Sequence, residues 1–236
     1  MTVQARERMT LEPAYVLHSR AYRDTSRILD VFSERHGRIT LFARGARGPK
    51  SKLASLLMPF RPLLLSWSGR GDAAQMTAAE PGGEALPLPA RLVTSGFYLN
   101  ELVIQLTTRH DPQPQLFANY AEALRRLCVD DKPEPGLRVF EKRLLATIGY
   151  GLEFEAEIEP SRYYKFHVGE GLSEVRETPG AYPGRCLKAL QEEALDDGES
   201  LDVARRLLRQ ALDHCLEGRE LRTRTVARSM ARRGVS

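Results

Sequence analysis

Between Pro81 and Ala90 the chain reads PGGEALPLPA, and across this stretch the spacing of its apolar residues changes. Before it, apolar and polar residues alternate over short runs, the period-two signature of strands. After it they recur every three to four residues, as on amphipathic helices. Three prolines and two glycines suit neither state and mark a break. Such a switch predicts two domains, residues 1–80 and 91–236, with 81–90 as the linker.

Ahead of the switch, Tyr15–Arg20, Arg27–Ser33, Arg38–Arg44, Leu63–Trp67 and Ala74–Ala79 read as strands, separated by Gly, Pro, Asp and Ser clusters. That many strands in so short a segment predict a small barrel. The OB-fold is the member of that class most used on oligonucleotides, and Lys52–Leu57 fits the short helix common between its third and fourth strands. After the switch, Leu92, Gly96, Leu99, Leu102, Val103 and Leu106 form one helical stripe, and Leu116, Phe117, Tyr120, Leu124 and Leu127 form a second. A third helix, with Pro135 in its first turn, carries Leu137, Phe140, Leu144 and Ile148. A small β excursion at Arg162–Val168 precedes two further helices, near Gly184–Leu195 and Leu201–Glu217. The expected class is α+β: a five-stranded OB-fold barrel followed by an α-helical domain.

The densest cationic segment lies inside the barrel region. Arg35–Lys52, RHGRITLFARGARGPKSK, carries Arg35, Arg38, Arg44, Arg47, Lys50, Lys52 and His36 with no acidic residue. On a strand, Ile39, Leu41 and Ala43 share one face, while Arg38, Thr40, Phe42 and Arg44 share the other. Arginines around an aromatic ring suit single-stranded nucleic acid, because cations neutralise phosphates and a flat side chain stacks on any base. The same pattern would also arise with Phe42 in the core and the charges at a solvated edge. We take Arg38, Phe42, Arg44, Arg47, Lys50 and Lys52 as candidate contacts, with Arg20 and Arg23 extending the face from the first turn.

Charge is segregated along the chain. Residues 1–80 hold 13 basic and 7 acidic side chains, 81–218 hold 16 and 23, and 219–236 hold 6 and 1, so a net charge of +4 hides a basic front, an acidic middle and a basic end. That ending, with Arg222 and Arg224, is either a basic helix or a disordered arm, and it joins the candidate DNA contacts.

No run of eighteen apolar residues occurs, and the opening MTVQARERMT lacks a signal peptide's apolar core. It reads as a loose tail, with Met9 an alternative initiator. Cys128, Cys186 and Cys215 are an odd number, widely spaced, which supports neither a disulfide framework nor a zinc ribbon; the expected compartment is the reducing cytoplasm. In Glu153–Glu159, EFEAEIE, carboxylates at spacing two project in a row on a strand and do not converge on Mg²⁺, so a solvated face is expected. A metal-dependent nuclease or other DNA-processing enzyme is the alternative reading. It finds no Walker loop, H-E-x-x-H, G-x-S-x-G or zinc deaminase signature.

Taken in order, Ala14-Tyr-Val-Leu-His-Ser-Arg, Leu29-Asp-Val-Phe-Ser, His36-Gly-Arg, Arg44-Gly-Ala-Arg, Lys50-Ser, Met58-Pro-Phe, Tyr98-Leu-Asn-Glu-Leu, Phe140-Glu-x-x-Leu-Leu and Gly149-Tyr-Gly resemble the bacterial RecO family of recombination and repair proteins. The resemblance runs from Tyr15 to about Arg228. It implies an OB-fold, a helical domain and no catalytic site or cofactor. It also implies a mediator, located with the nucleoid, that binds single- and double-stranded DNA and anneals complementary strands. The implied partners are RecR, the acidic C-terminal tail of single-stranded-DNA-binding protein (SSB) and, indirectly, RecA. The family's DNA-binding positions match Arg38, Arg44, Arg47, Lys50 and Lys52, and its tail-binding basic residue matches Arg138, beside the stripe Leu137, Phe140 and Leu144. Some relatives carry a four-cysteine zinc site after the Gly-Tyr-Gly stop. This chain has Glu155 and Glu157 there and no cysteine cluster, so no zinc is expected.

Overall fold

A computed structural model describes residues 8–47, 51–69, 71, 74–152 and 158–233. Five strands, β1 (Arg8–Tyr22), β2 (Ser26–Ser33), β3 (Gly37–Ala43), β4 (Leu63–Ser68) and β5 (Ala74–Pro81), close a barrel in the order β1-β2-β3-β5-β4, and α1 (Lys52–Leu56) precedes β4. All pairs are antiparallel except β3 with β5, as an OB-fold requires. β1 starts earlier than expected because Arg8 and Met9 pair with Ser68 and Trp67; that part of the opening is strand, not loose tail. Alternation fills the interior with Val16, Leu29, Val31, Ile39, Leu41, Leu65 and Trp67, among others.

The alternation is interrupted once where it matters. Between the pairs Val16↔Val31 and His18↔Asp30, β1 has one residue more than β2, so Leu17 forms a bulge. Its carbonyl, released from the ladder, accepts a hydrogen bond from Asn100 Nδ2 at 2.7 Å, and the Tyr120 hydroxyl donates to Asn100 Oδ1 at 2.6 Å. Val16 points inward before the bulge. Beyond it Ser19, paired with the core residue Leu29, takes the inner side, and His18, Arg20 and Tyr22 turn outward.

The chain divides into two compact units, Met1–Cys128 with Leu221–Ser236, and Val129–Glu220, so 81–90 lies inside a unit. In the first, α2 (Val93–Leu106) and α3 (Pro114–Val129) build a second apolar layer on the barrel. Tyr15 and Phe32, which point away from the barrel interior, meet Phe117 and Tyr120 of α3 with ring centroids 5.1–5.9 Å apart. The basic ending is a helix, α7 (Arg222–Arg233), packed on α2. Glu101 caps it, accepting the backbone N–H groups of Arg222 at 2.8 Å and Thr223 at 3.0 Å, where a carboxylate also complements the helix dipole.

The second unit contains α4 (Glu134–Thr147), a sheet of β6 (Tyr163–His167), β7 (Gly171–Val175) and β8 (Tyr182–Pro183) in the order β7-β6-β8, α5 (Gly184–Gln191) and α6 (Gly198–Cys215). α6 begins where the Asp197 side chain accepts the Ser200 N–H at 2.8 Å. Leu207, Leu208 and Leu212 are buried on α6, which packs on α4 and α5, where Leu144 and Leu187 are buried. Of the alternating carboxylates, Glu153, Glu155 and Glu157 fall outside the described residues, and Glu159 is exposed.

Candidate nucleic-acid interface

The outer face of β1, β2 and β3 ends at the turn Arg23–Asp24–Thr25. Register places Arg20, Ile28 and Phe42 in one row across the three strands, with Tyr22 and Ser26 in the next. The rings of Tyr22 and Phe42 meet across β2, centroids 5.5 Å apart at 70°. Ser26 is small enough to let them approach, and Ile28, outside the barrel core, is left only 8% exposed.

Cations surround the two rings. Arg23 holds φ +51, a region that costs an L residue about 1–2 kcal/mol, and its guanidinium lies 5.2 Å from the Tyr22 ring centroid. Arg47 ties the β3–α1 loop to the turn: its N–H donates to Thr25 O at 3.0 Å and its Nη1 to Arg23 O at 2.8 Å. Arg20 and Arg44 are exposed, and Asp24 is the one acidic residue between Arg20 and Arg27. A guanidinium over an exposed ring contributes about 0.5–1 kcal/mol, whereas a base on an aromatic side chain contributes about 1–3 kcal/mol. A base can therefore displace Arg23 from Tyr22 with a net gain and free the cation for phosphate.

The expected faces of β3 are present, with Ile39, Leu41 and Ala43 inside and Phe42 outside. Yet the outer face is divided. At its other end the segment after α2 lies on Arg38: Arg38 Nη2 donates to Thr107 O at 2.8 Å, and the His110 N–H donates to Arg38 O at 3.0 Å. Arg109 reaches Asp30 at 2.9 Å and bonds Thr40. Burial, and secondarily the charge of Arg109, lower the Arg38 pKa, while Asp30 opposes the shift. Arg38 is thus engaged by protein and stands apart from the Tyr22–Phe42 end. Arg35 is also engaged, donating through its backbone N–H (2.7 Å) and Nε (2.9 Å) to the buried carboxylate of Glu12.

Lys52, the first residue of α1, is exposed, and Lys50 lies outside the described residues. Arg222 is exposed at the start of α7, where its N–H bonds Glu101 of α2, and the Arg224 guanidinium lies 5.9 Å from the Tyr98 ring centroid, also on α2. Sequence reasoning passed over Tyr22. The three-residue turn could have found it, since pairing Tyr22 with Ser26 and counting by two along β2 and β3 leads to Phe42.

The expected groove wall on α4 is core. Leu137, Phe140 and Leu144 are 9%, 1% and 0% exposed, because their spacing turns them into the second unit. Arg138 Nη2 donates to Glu141 Oε1 at 2.6 Å, and that carboxylate is itself 1% exposed. Among the described residues no group of three or more His, Cys, Asp or Glu side chains is placed to hold a metal ion, and no helix is long and apolar enough to cross a membrane.

Two family models match the chain: recombination protein O, N terminal, over residues 8–82, and recombination protein O, C terminal, over residues 91–225. Similar proteins include one from Methylococcus capsulatus, 41% identical over 94% of both chains, and one from Nitrosococcus oceani, 41% identical over 96% of both. Another, from Coxiella burnetii, is 40% identical over 92% of this chain and 97% of its own. Each is named DNA repair protein RecO.

Proposed function

Because the chain belongs to the RecO family of DNA repair proteins, we propose that it is a non-enzymatic recombination mediator that binds single- and double-stranded DNA and anneals complementary strands. It would act with RecR on SSB-coated DNA, and the acidic SSB tail would meet Arg138; RecA loading is served indirectly. The observation that carries the DNA-binding part is the pair of rings, Tyr22 and Phe42, set among Arg20, Arg23, Arg44 and Arg47.

Binding at this face is electrostatic. Four neutralised phosphates give a slope of about −3 for log affinity against log salt on single strands, and replacing Arg20, Arg23 and Arg44 together by Ala should leave about −1. Anisotropy titrations over a salt series measure this. An unchanged slope in the folded triple variant would move the DNA site elsewhere, first to the arginines of α7. Annealing of complementary oligonucleotides should persist in EDTA, whereas strand cutting that appears only with Mg²⁺ would replace the mediator by an enzyme.

A further inference from the structure

Resting on the reading that the Tyr22–Phe42 face binds DNA, we propose that Tyr22 sets this protein's preference for single-stranded over duplex DNA. Tyr22 is 36% exposed on the outer side of β1. Phe42, the less exposed partner, props it edge-to-face at 5.5 Å and acts as a positioning residue. The Tyr22 ring carries the Arg23 guanidinium at 5.2 Å, a contact that an unpaired base can replace. Arg47 holds the turn and the β3–α1 loop together, so the ring and the cations keep a fixed relation.

The two kinds of contact respond differently to the form of the DNA. Arginines meet phosphates, which both forms carry. The ring needs the flat face of a base, and in a duplex each base already has both faces stacked on its neighbours. Only a single strand can offer an unstacked base to Tyr22. Charge thus supplies affinity for either form, and Tyr22 supplies the difference.

The test uses fluorescence anisotropy on the full chain with a labelled oligothymidylate, an abasic strand of the same length and a duplex of the same length. Tyr22→Ala should weaken thymidylate binding about tenfold while leaving the abasic strand and the duplex within about twofold of wild type. Tyr22→Phe should retain wild-type behaviour, which separates loss of the ring from loss of the fold, and the salt slope should not change. Equal losses on single strand and duplex, or no loss on the single strand, would overturn the proposal. The Arg20, Arg23 and Arg44 triple variant keeps the two readings apart. If it weakens binding while Tyr22→Ala does not, only the role of Tyr22 fails; if neither changes binding, the face is not the DNA site and both fail.

Discussion

Replacing Gly37 by Ala should lower stability by about 3 kcal/mol, a larger loss than removing any exposed arginine of the DNA face. Gly37 opens β3 at φ +63, where an L residue costs about 1–2 kcal/mol. A Cβ there would stand 2.1 Å from Asp111 O and 2.5 Å from its carbonyl carbon, and backbone cannot swing aside as a side chain can. The segment must move as a whole. Its movement endangers the His110 N–H bond to Arg38 O and the Arg38 bond to Thr107 O, each worth about 1 kcal/mol net. Gly45 provides the control: its φ is +68 but nothing lies within 4 Å of an added Cβ, so Gly45→Ala should show the conformational part alone. Urea melts compare the two, and the idea fails if the two midpoints coincide at equal m.

Arg138→Ala should destabilise the second unit by about 3 kcal/mol, because it takes the guanidinium away from the Glu141 carboxylate, which is 1% exposed. Replacing both partners by apolar residues of similar size, Arg138→Met with Glu141→Leu, should restore stability to within about 1 kcal/mol or exceed it, since the pair's mutual attraction barely offsets its desolvation. The Nε of Arg138 is buried with no hydrogen-bond partner, which makes that desolvation less well compensated. Thermal melts of the single and double variants decide this; a single variant as stable as wild type would refute the role assigned to the pair. The double variant also makes the SSB-tail assignment testable, because it removes the guanidinium without stranding a charge. A tail peptide that bound it as tightly as wild type would exclude Arg138 as the docking cation.

The barrel was legible because β2 and β3 alternate cleanly and the turns carry Gly, Pro and Asp; Ile39, Leu41 and Ala43 fell where a period of two puts them. The helical stripes were legible for the same reason, with Leu99, Leu116, Tyr120 and Leu144 all buried. What periodicity cannot convey is which partner covers a face. Tyr15 and Phe32 look like outward residues of a lone barrel until α3 packs on them, which is why the first unit passes through 81–90 without a boundary. Arg38 looks as free as Arg44 in a list of cations, and only the tertiary placement of Thr107–His110 distinguishes them. The stripe on α4 likewise identifies an apolar face without saying whether it meets a partner or the core.

The bulge at Leu17 makes the DNA face a matter of counting. Arg20 and Tyr22 lie outside only because an odd residue separates them from Val16. If the bulge were lost with the length unchanged, so that Leu17 took an ordinary place in the ladder, every chemical group would stay in the chain and yet odd and even positions would exchange, carrying Arg20 and Tyr22 toward the interior. The face therefore depends on where this strand is irregular as much as on the side chains it carries. Asn100, 2% exposed on α2, holds the released Leu17 carbonyl and so keeps the irregularity where it is.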